Sequence, residues 1–257
     1  MVDSRRRCFT GLNVVLILLL PLFTSSCSSS RLADTLLKEL EAEPTNAVKL
    51  AAIIQKAKVT EDERLTQLAE QRDTEMVRKA LPSPLEIPIG SSPKLGGDSA
   101  KLQVVMFLDF ECPYSASAFF DLVSLRQKYG DSVQLVFKHY PLVSHRQSRI
   151  AAVASELAKE QGRFWPFAAA IFHDQDYLSY PFLFEMAKKV SLDTARLERG
   201  LKSDRLRYVA LVDADLSMAR SLGVAVAPTV FFNGVKFEGH LGAEKYERLF
   251  SIIAPSQ

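Results

Sequence analysis

The stretch LQVVMFLDFECPYS, residues 102–115, decides the fold class of this protein. It is almost continuously apolar as far as Phe110, which is typical of a central strand that is buried on both faces. A helical pattern follows over residues 113–129 and ends before Gly130. Cys112 is therefore predicted to stand at a helix N-terminus, where unpaired backbone N–H groups and the helix dipole stabilise a thiolate. A buried and inert cysteine is the alternative interpretation.

The pattern beyond this stretch predicts the remaining elements of an α/β fold. Further strands are expected at residues 133–140, 229–233 and 235–238. Helices are expected over residues 147–222, with breaks near Gly162, residues 179–181, Ser191 and Gly200, and over residues 243–253. The first strand, the helix and the second strand predict a parallel unit with a right-handed connection. The Asn233-Gly234 pair predicts a tight hairpin turn between the last two strands.

Composition and charge exclude several classes of function. The chain has 257 residues, of which 47% are hydrophobic and 24% charged, as is ordinary for a globular protein. The formal net charge of +2 is too small to indicate a nucleic-acid partner. The four histidines lack metal-ligand spacing and there is no glycine-rich phosphate loop, so we predict neither a metal site nor a cofactor.

Residues 1–27 have the pattern of a bacterial lipoprotein signal peptide. The basic residues Arg5–Arg7 precede an apolar segment, residues 12–23, that is too short to span a bilayer, and small residues lead to Cys27. We predict that Cys27 is lipidated and anchors the protein to a membrane in the periplasm. A secretory signal that is cleaved nearby is the alternative. Ser28, where a retention signal would have aspartate, favours the outer membrane.

The three cysteines then leave one free thiol in the exported protein. Cys8 is removed with the signal peptide, and Cys27 carries the lipid. Cys112 remains alone in an oxidising compartment, where thiols normally pair. A lone cysteine in an exported protein is prone to form unwanted disulfides unless it is buried or takes part in the function of the protein.

The rest of the chain is predicted to have three parts. Residues 28–81 have narrow apolar stripes at helical spacing, which indicate either a spacer or an oligomerisation segment, and Thr60 with Glu63 predicts a capping box at a helix start. Prolines and glycines make residues 82–100 a predicted linker. The compact α/β domain is expected over residues 101–257.

A second motif stands at the entrance to the predicted strand 229–233. Pro228 begins that strand, which is a position where a proline can be accommodated. With the cysteine motif it completes a set of short matches, in order along the chain, that resembles the DsbA-like family of exported thiol–disulfide oxidoreductases. The matching pieces are FECPY at 110–114, YPL at 140–142 with His145, GRFW at 162–165, LGV at 222–224, PT at 228–229 and FFNG at 231–234.

The resemblance implies a thioredoxin fold with a helical domain inserted at about residues 147–203. It implies that Cys112 is the nucleophile and that a cis proline at 228 lies against it, beside a bound segment of an exported, cysteine-containing protein. The implied substrate-binding residues are Pro113, Tyr114, Ala227 and Pro228.

Three positions depart from the family pattern. Ser115 replaces the second cysteine, Met106 replaces a buried glutamate, and Ala227 replaces a threonine. Cys112 alone can form a mixed disulfide, but release then requires the substrate's own second thiol, a small thiol or a membrane reductant. Ser115 joins Cys112 as a catalytic candidate because its hydroxyl can donate a hydrogen bond to the thiolate. An ordinary serine at a helix start is the alternative.

The sequence thus predicts a membrane-anchored thiol–disulfide exchange protein with a single reactive cysteine. One alternative is a redox-inactive peptide-binding or chaperone module on the same fold. Another is that Cys112 pairs with a cysteine of another chain, either Cys27 of an unlipidated copy or a cysteine of a different protein. The neighbouring Asp109 is predicted to be a solvated carboxylate at the end of its strand rather than a general base.

Overall fold

The computed structural model describes residues 44–254 of the chain. The predicted signal peptide, the lipidation site Cys27 and the first part of the predicted spacer lie outside the described residues. The chain divides into two compact units, Met1–Gln71 and Arg72–Gln257. The second unit contains the sheet and the cysteine motif, and it begins ahead of the predicted linker.

Helix α1 spans Pro44–Ala80. The capping box predicted at Thr60 and Glu63 is wrong, because the helix continues through both residues. The Thr60 hydroxyl instead donates to the carbonyl of Lys56, one turn earlier, at 2.9 Å. No glycine or proline interrupts residues 45–80, so nothing in the backbone requires a break there.

The second unit has the strands and helices of an α/β fold. The strands that the structure describes are β1 Lys94–Leu95, β2 Leu102–Leu108, β3 Val133–His139, β4 Thr229–Phe232 and β5 Val235–Glu238. The helices after α1 are α2 Pro113–Tyr129, α3 Ser148–Glu160, α4 Phe164–His173, α5 Tyr180–Lys189, α6 Thr194–Lys202, α7 Arg205–Ser221 and α8 Ala243–Ile253.

The strands form one sheet in the order β1-β3-β2-β4-β5. Strands β2 and β3 pair in parallel, and β4 pairs antiparallel with β2 and with β5, so the predicted α/β class and hairpin are confirmed. Strand β1 lies within the predicted linker and pairs antiparallel with β3. A pairing of two residues leaves no periodic signal, which is why the sequence does not predict this strand.

The helix breaks predicted near Gly162, residues 179–181 and Ser191 are confirmed. The break predicted near Gly200 falls at residues 203–204, since α6 runs through Gly200 to Lys202 and α7 begins at Arg205. Gly200 is buried, and a Cβ atom there would overlap the side chain of Leu157 on α3. The glycine therefore allows two helices to approach closely, and it does not end one.

Strand β2 is buried on both faces, as predicted. Val104, Met106 and Leu108 face the larger core, which contains side chains of α2 and of the helices α3–α6. Val105 and Phe107 face a smaller core. This double burial places the end of β2, and with it the cysteine motif, on a rigid support.

The last turns of α1 belong to the second unit. Val77 is fully buried in the larger core, and the Asp73 carboxylate pairs with Lys245 of α8 at 2.8 Å. Within residues 44–254, none of the helices combines the length and the apolar character needed to cross a membrane.

Candidate functional site

Cys112 is placed between the buried strand β2 and helix α2, as the sequence predicts. It is the N-cap residue of α2, with extended backbone angles, and Pro113 follows in the first helical turn. A proline suits that position because its missing N–H group would have no partner within the helix. The backbone N–H groups of Ser115 and Ala116 both donate to the carbonyl of Cys112. The sulfur therefore stands at the positive end of a helix of 17 residues.

The fold brings the thiol of Cys112 against the loop before β4, 115 residues later in the chain. The sulfur lies 3.4 Å from the carbonyl oxygen of Ala227 and donates a hydrogen bond to it. The Ala227–Pro228 peptide bond is cis, as implied by the resemblance. The Thr229 hydroxyl donates to the carbonyl of Val226 at 2.7 Å, which ties the two sides of this proline together.

The surface around the sulfur is apolar and open, although the sulfur itself is buried. Cys112 is 5% exposed, whereas Tyr114 is 65% and Val226 is 42% exposed. These two side chains follow the cysteine and precede Ala227, so they flank the point where the two loops meet.

Ser115 is fully buried, and its hydroxyl is used in the loop before the cysteine. The Ser115 Oγ accepts a hydrogen bond from the backbone N–H of Asp109 at 3.2 Å. Among the described residues no hydrogen bond joins this hydroxyl to the sulfur of Cys112. The geometry therefore gives Ser115 a structural contact, and a role in the chemistry stays a prediction.

The prediction of a solvated carboxylate at Asp109 is wrong. Its side chain has no exposed surface, and its two oxygens accept from the backbone N–H of Glu111 at 2.7 Å and of Leu142 at 2.6 Å. His145 Nδ1 lies 2.9 Å from the same carboxylate. The backbone N–H of Leu142 and the ring of His145, both in the distant β3–α3 loop, thus lie against Asp109. A local sequence pattern cannot reveal such an arrangement, because it depends on contacts across the fold.

Sequence reasoning also missed the role of Glu111. Its Oε2 atom accepts from the backbone N–H groups of Gln147 and Ser148, both at 2.6 Å, at the start of α3. A carboxylate at a helix N-terminus satisfies two otherwise unpaired donors and opposes the helix dipole. Asp109 and Glu111 thus attach the segment before Cys112 to the loop between β3 and α3.

Comparison with known families decides where the protein belongs. A family model described as Thioredoxin matches residues 89–251, which is more than half of the chain. The chain belongs to the thioredoxin family. The match covers the whole cysteine motif, the helices after β3 and the loop that carries Pro228.

Curated relatives match part of this chain and are much longer proteins. A Na(+)/H(+) antiporter NhaA of Herminiimonas arsenicoxydans is 35% identical over 167 residues, covering 63% of this chain and 26% of the antiporter. A Na(+)/H(+) antiporter NhaA 3 of Salinispora tropica is 35% identical over 150 residues, covering 58% of this chain and 22% of that protein. The chain therefore spans about a quarter of the length of these relatives.

Solved structures show the same fold at lower identity. BdbD from Bacillus subtilis in its oxidised form is 22% identical, with a TM-score of 0.59, over 66% of this chain and 97% of that one. A linker-deletion mutant of ScsC from Proteus mirabilis is 18% identical, with a TM-score of 0.55, over 82% and 96%. A thioredoxin-like oxidoreductase from Silicibacter pomeroyi is 23% identical, with a TM-score of 0.58, over 66% and 95%. The thioredoxin fold is thus confirmed.

This thioredoxin-family protein has no acid in β2 beneath its cysteine, since Met106 is fully buried in the larger core. The structure places a buried acid elsewhere, on α3. Glu156 Oε1 lies 3.1 Å from Nε2 of the buried His139, and Lys159 contacts the other oxygen. Burial raises the pKa of Glu156, but the hydrogen bonds and charges of His139 and Lys159 outweigh it and lower the pKa below its ordinary value.

Within the described part of the chain, no three side chains of His, Cys, Asp or Glu are grouped so as to hold a metal ion. Cys112 is the free cysteine found there. The chemistry that this arrangement supports is therefore that of one thiol beside a backbone carbonyl at the start of a strand.

Proposed function

We propose that this thioredoxin-family protein is an extracytoplasmic thiol–disulfide exchange protein that acts on exported, cysteine-containing proteins through Cys112. The observation that supports this most is the sulfur at the N-terminus of α2, 3.4 Å from the Ala227 carbonyl. The helix end stabilises the thiolate, which is the attacking species. The names of the BdbD and thioredoxin-like oxidoreductase structures agree with this class of activity.

The proposed reaction needs one thiol of the protein. The Cys112 thiolate attacks a substrate disulfide, a Cys112–sulfur bond forms, the substrate S–S bond breaks, and the second substrate sulfur leaves as a thiolate. With serine at 115, the protein has no neighbouring thiol that could attack Cys112, form an internal disulfide and release the substrate. The substrate's own thiol then releases the protein in an isomerisation. Alternatively, a small thiol or a membrane reductant does so and supplies the electrons of a net reduction.

Substrate binding is proposed on both sides of the sulfur. Pro113 and Tyr114 are exposed on one side and Val226 on the other. An extended substrate segment would lie along the backbone of Ala227 and Pro228, where β4 begins. Burial of the exposed ring of Tyr114 on binding would contribute part of the affinity.

The experiment that tests the proposal is a mixed-disulfide trap. The reduced protein is mixed with a peptide that contains one disulfide, the reaction is quenched with acid, and adducts are counted by mass spectrometry. We expect an adduct on Cys112 in the wild-type chain and none at that position in Cys112→Ala. Ser117→Ala, an exposed change in α2, is the matched control and should react like the wild type. Equal loss of substrate disulfide with wild type and Cys112→Ala would disprove the exchange function.

A peptide-binding module without redox activity is the second candidate. The 5% exposure of Cys112 and the apolar Met106 favour it, because a thiol that is used needs access and a proton carrier. This candidate predicts that client binding survives both Cys112→Ala and reductant. Loss of binding under either condition would argue against it.

Location and assembly complete the proposal. Lipidated Cys27 would hold the protein at a periplasmic membrane face, with the outer membrane favoured by Ser28, and residues 28–81 would serve as a spacer or an oligomerisation segment. Mass spectrometry of the mature N-terminus tests the lipid. Light scattering on chains with and without residues 31–81 tests assembly, and an unchanged monomer would exclude oligomerisation through this segment.

A further inference from the structure

A basic cavity lies beside the cysteine motif. The loop after β3, the first turn of α3 and α7 line an open cavity of about 510 Å³. Leu142, Val143 and Leu216 contribute apolar walls, and the rest of the lining includes Arg146 and Arg149 from the β3–α3 region and Arg220 from α7. The volume lies in the range of sites that bind small molecules or short peptide segments.

The basic side chains give this cavity a net positive charge. Arg149 pairs with Asp213 of α7 at 2.5 Å, which balances one of the three guanidinium groups. Arg146 and Arg220 are exposed and make no ion pair within residues 44–254. Two uncompensated guanidinium groups at one opening favour a ligand that carries carboxylates, which arginine binds with paired hydrogen bonds.

Two residues that line the cavity donate hydrogen bonds to the two loops of the thiol site, the loop before Cys112 and the loop before Ala227. The backbone N–H of Leu142 donates to the buried Asp109 carboxylate, three residues before Cys112. The Tyr140 hydroxyl, also in the lining, donates to the carbonyl of Val224 at 3.0 Å, three residues before Ala227. A ligand in the cavity would therefore contact residues that are hydrogen-bonded to the loop before Cys112 and to the loop before Ala227.

We infer that this cavity, defined by Arg146, Arg149 and Arg220, binds an acidic segment of the substrate protein near the disulfide that Cys112 attacks. The inference rests on the proposed thiol–disulfide exchange and names its substrate class. Carboxylates of the segment pair with the two uncompensated arginines, while its aliphatic side chains lie on the Leu142, Val143 and Leu216 surface. A bare inorganic anion would leave most of a cavity of this size and its apolar walls unused.

The test compares two disulfide peptides with the full chain. The peptides have the same length and the same cysteines, and the aspartates beside one cysteine in the first peptide are asparagines in the second. We expect mixed-disulfide formation to be about fivefold faster with the acidic peptide at low salt, as for two exposed charge pairs, and this ratio to fall towards one at high salt. In the double variant Arg146→Gln, Arg220→Gln the ratio should be close to one at all salt concentrations.

A matched control separates local binding from the charge of the whole protein. Arg199→Gln with Arg205→Gln removes the same charge from exposed arginines that do not line the cavity. This double variant should keep the wild-type ratio, and circular dichroism should show all variants folded. A ratio of one in the wild type, or an unchanged ratio in the Arg146 and Arg220 variant, overturns the inference.

A binding measurement distinguishes failure of the inference from failure of the exchange function. An acidic peptide without cysteine is titrated into Cys112→Ala, with fluorescence anisotropy as the signal, and into the same chain with the two cavity arginines replaced. Binding that depends on these arginines, with no mixed disulfide in the wild type, supports the cavity and rejects the exchange. Mixed disulfides at equal rates with both peptides support the exchange and reject the cavity.

Discussion

The segment before Cys112 is held in place by a brace of hydrogen bonds, in which the acceptors are the carboxylates of Asp109 and Glu111 and the hydroxyl of Ser115. Asp109 accepts hydrogen bonds from the segment after it and from the β3–α3 loop, and Ser115 accepts from the Asp109 backbone. Removing any one of these groups would leave its partners without a hydrogen bond in water-poor surroundings. The position of the sulfur is therefore set by these hydrogen bonds and by its contact with the Ala227 carbonyl.

Replacing Asp109 with asparagine tests this brace. The asparagine side chain would present an N–H₂ group where the carboxylate now only accepts, so at least one donor loses its partner. We expect the free energy of unfolding to fall by about 1–3 kcal/mol in urea denaturation. Asp131→Asn is the control, because that side chain is 99% exposed and its change should stay within about 0.5 kcal/mol. Equal effects of the two changes would contradict the brace.

Replacing Ser115 with cysteine tests whether the serine limits the chemistry. Residues 112 and 115 are one helical turn apart, a spacing that a disulfide can bridge. On mild oxidation we expect the peptide containing both residues to lose two hydrogen atoms by mass spectrometry. We also expect the mixed disulfide with a substrate to be shorter-lived, on the order of tenfold or more, because the new thiol expels the substrate.

The control for this experiment is Ser117→Cys. Residue 117 follows Cys112 by five positions and lies on a different side of α2, so no internal disulfide should form. If Ser115→Cys and Ser117→Cys give the same mixed-disulfide lifetime, the serine at 115 is not what limits release.

At the scale of elements, helix α3 begins where a side chain from outside it supplies the cap. Gln147, its N-cap residue, makes no side-chain cap, and Glu111 accepts from the first N–H groups instead. This contrasts with α5 and α6, which are capped by their own N-cap residues Ser179 and Asp193. Glu111 thus connects the start of α3 to the cysteine loop.

Two substitutions at Glu111, which remove its charge alone or its charge and its hydrogen bonds, test how much this contact contributes to stability. Glu111→Gln keeps an oxygen acceptor but removes the charge at the N-terminus of α3, so we expect a loss of about 0.3–1 kcal/mol in stability. Glu111→Ala removes the hydrogen bonds as well, and we expect about 1–2 kcal/mol. Urea denaturation of both variants checks the order, and a glutamine variant as unstable as the alanine variant would contradict it.

The buried His139–Glu156–Lys159 cluster connects β3 to α3 and makes stability depend on pH. Because the folded protein lowers the pKa of Glu156 through His139 and Lys159, against the effect of burial, the charged form is favoured in the folded state. This contribution is fully present above the unfolded pKa of about 4.3 and is lost as pH falls through the lower folded value.

Glu156→Gln should therefore be less stable than the wild type at pH 5, and this difference should shrink as the pH is lowered to 3. Urea denaturation at several pH values in this range measures it. Glu185→Gln, a change at an exposed glutamate, is the control and should show no such dependence. A constant difference between wild type and Glu156→Gln over this range would disagree with the lowered pKa.

At the scale of the whole molecule, the compact unit with the sheet includes the end of α1. Val77 is fully buried in its core, whereas Met76 next to it is 41% exposed. Removing two buried methyl groups in Val77→Ala should lower the free energy of unfolding by about 2 kcal/mol, and Met76→Ala should change it by less than about 0.5 kcal/mol. The melting temperatures of the two variants, measured on the full chain, test this difference. Equal melting temperatures of Val77→Ala and Met76→Ala would contradict the burial of Val77 in the core.

Much of the fold was predictable because its signals are short-range. The apolar continuity of β2, the proline after Cys112 and the Asn233-Gly234 turn each lie within a few residues, and each is confirmed. The same applies to the position of Cys112 at a helix start. Errors arose where a residue type has two local meanings, as at Thr60, which lies inside α1 and bonds to the carbonyl of Lys56, and does not cap a helix start.

The sequence by itself determined the order of strands and helices from β2 onwards and which residue carries the thiol. Only the tertiary structure decided what surrounds that thiol: the Ala227 carbonyl comes from 115 residues away, and the donors to Asp109 from the β3–α3 loop come from 33 and 36 residues away. The same holds for the cavity, whose arginines come from α7 and from the segment after β3. The physical reason is that hydrogen bonds, burial and charge pairing act over a few ångströms in space, and the packing of the sheet against its helices sets which distant residues come that close.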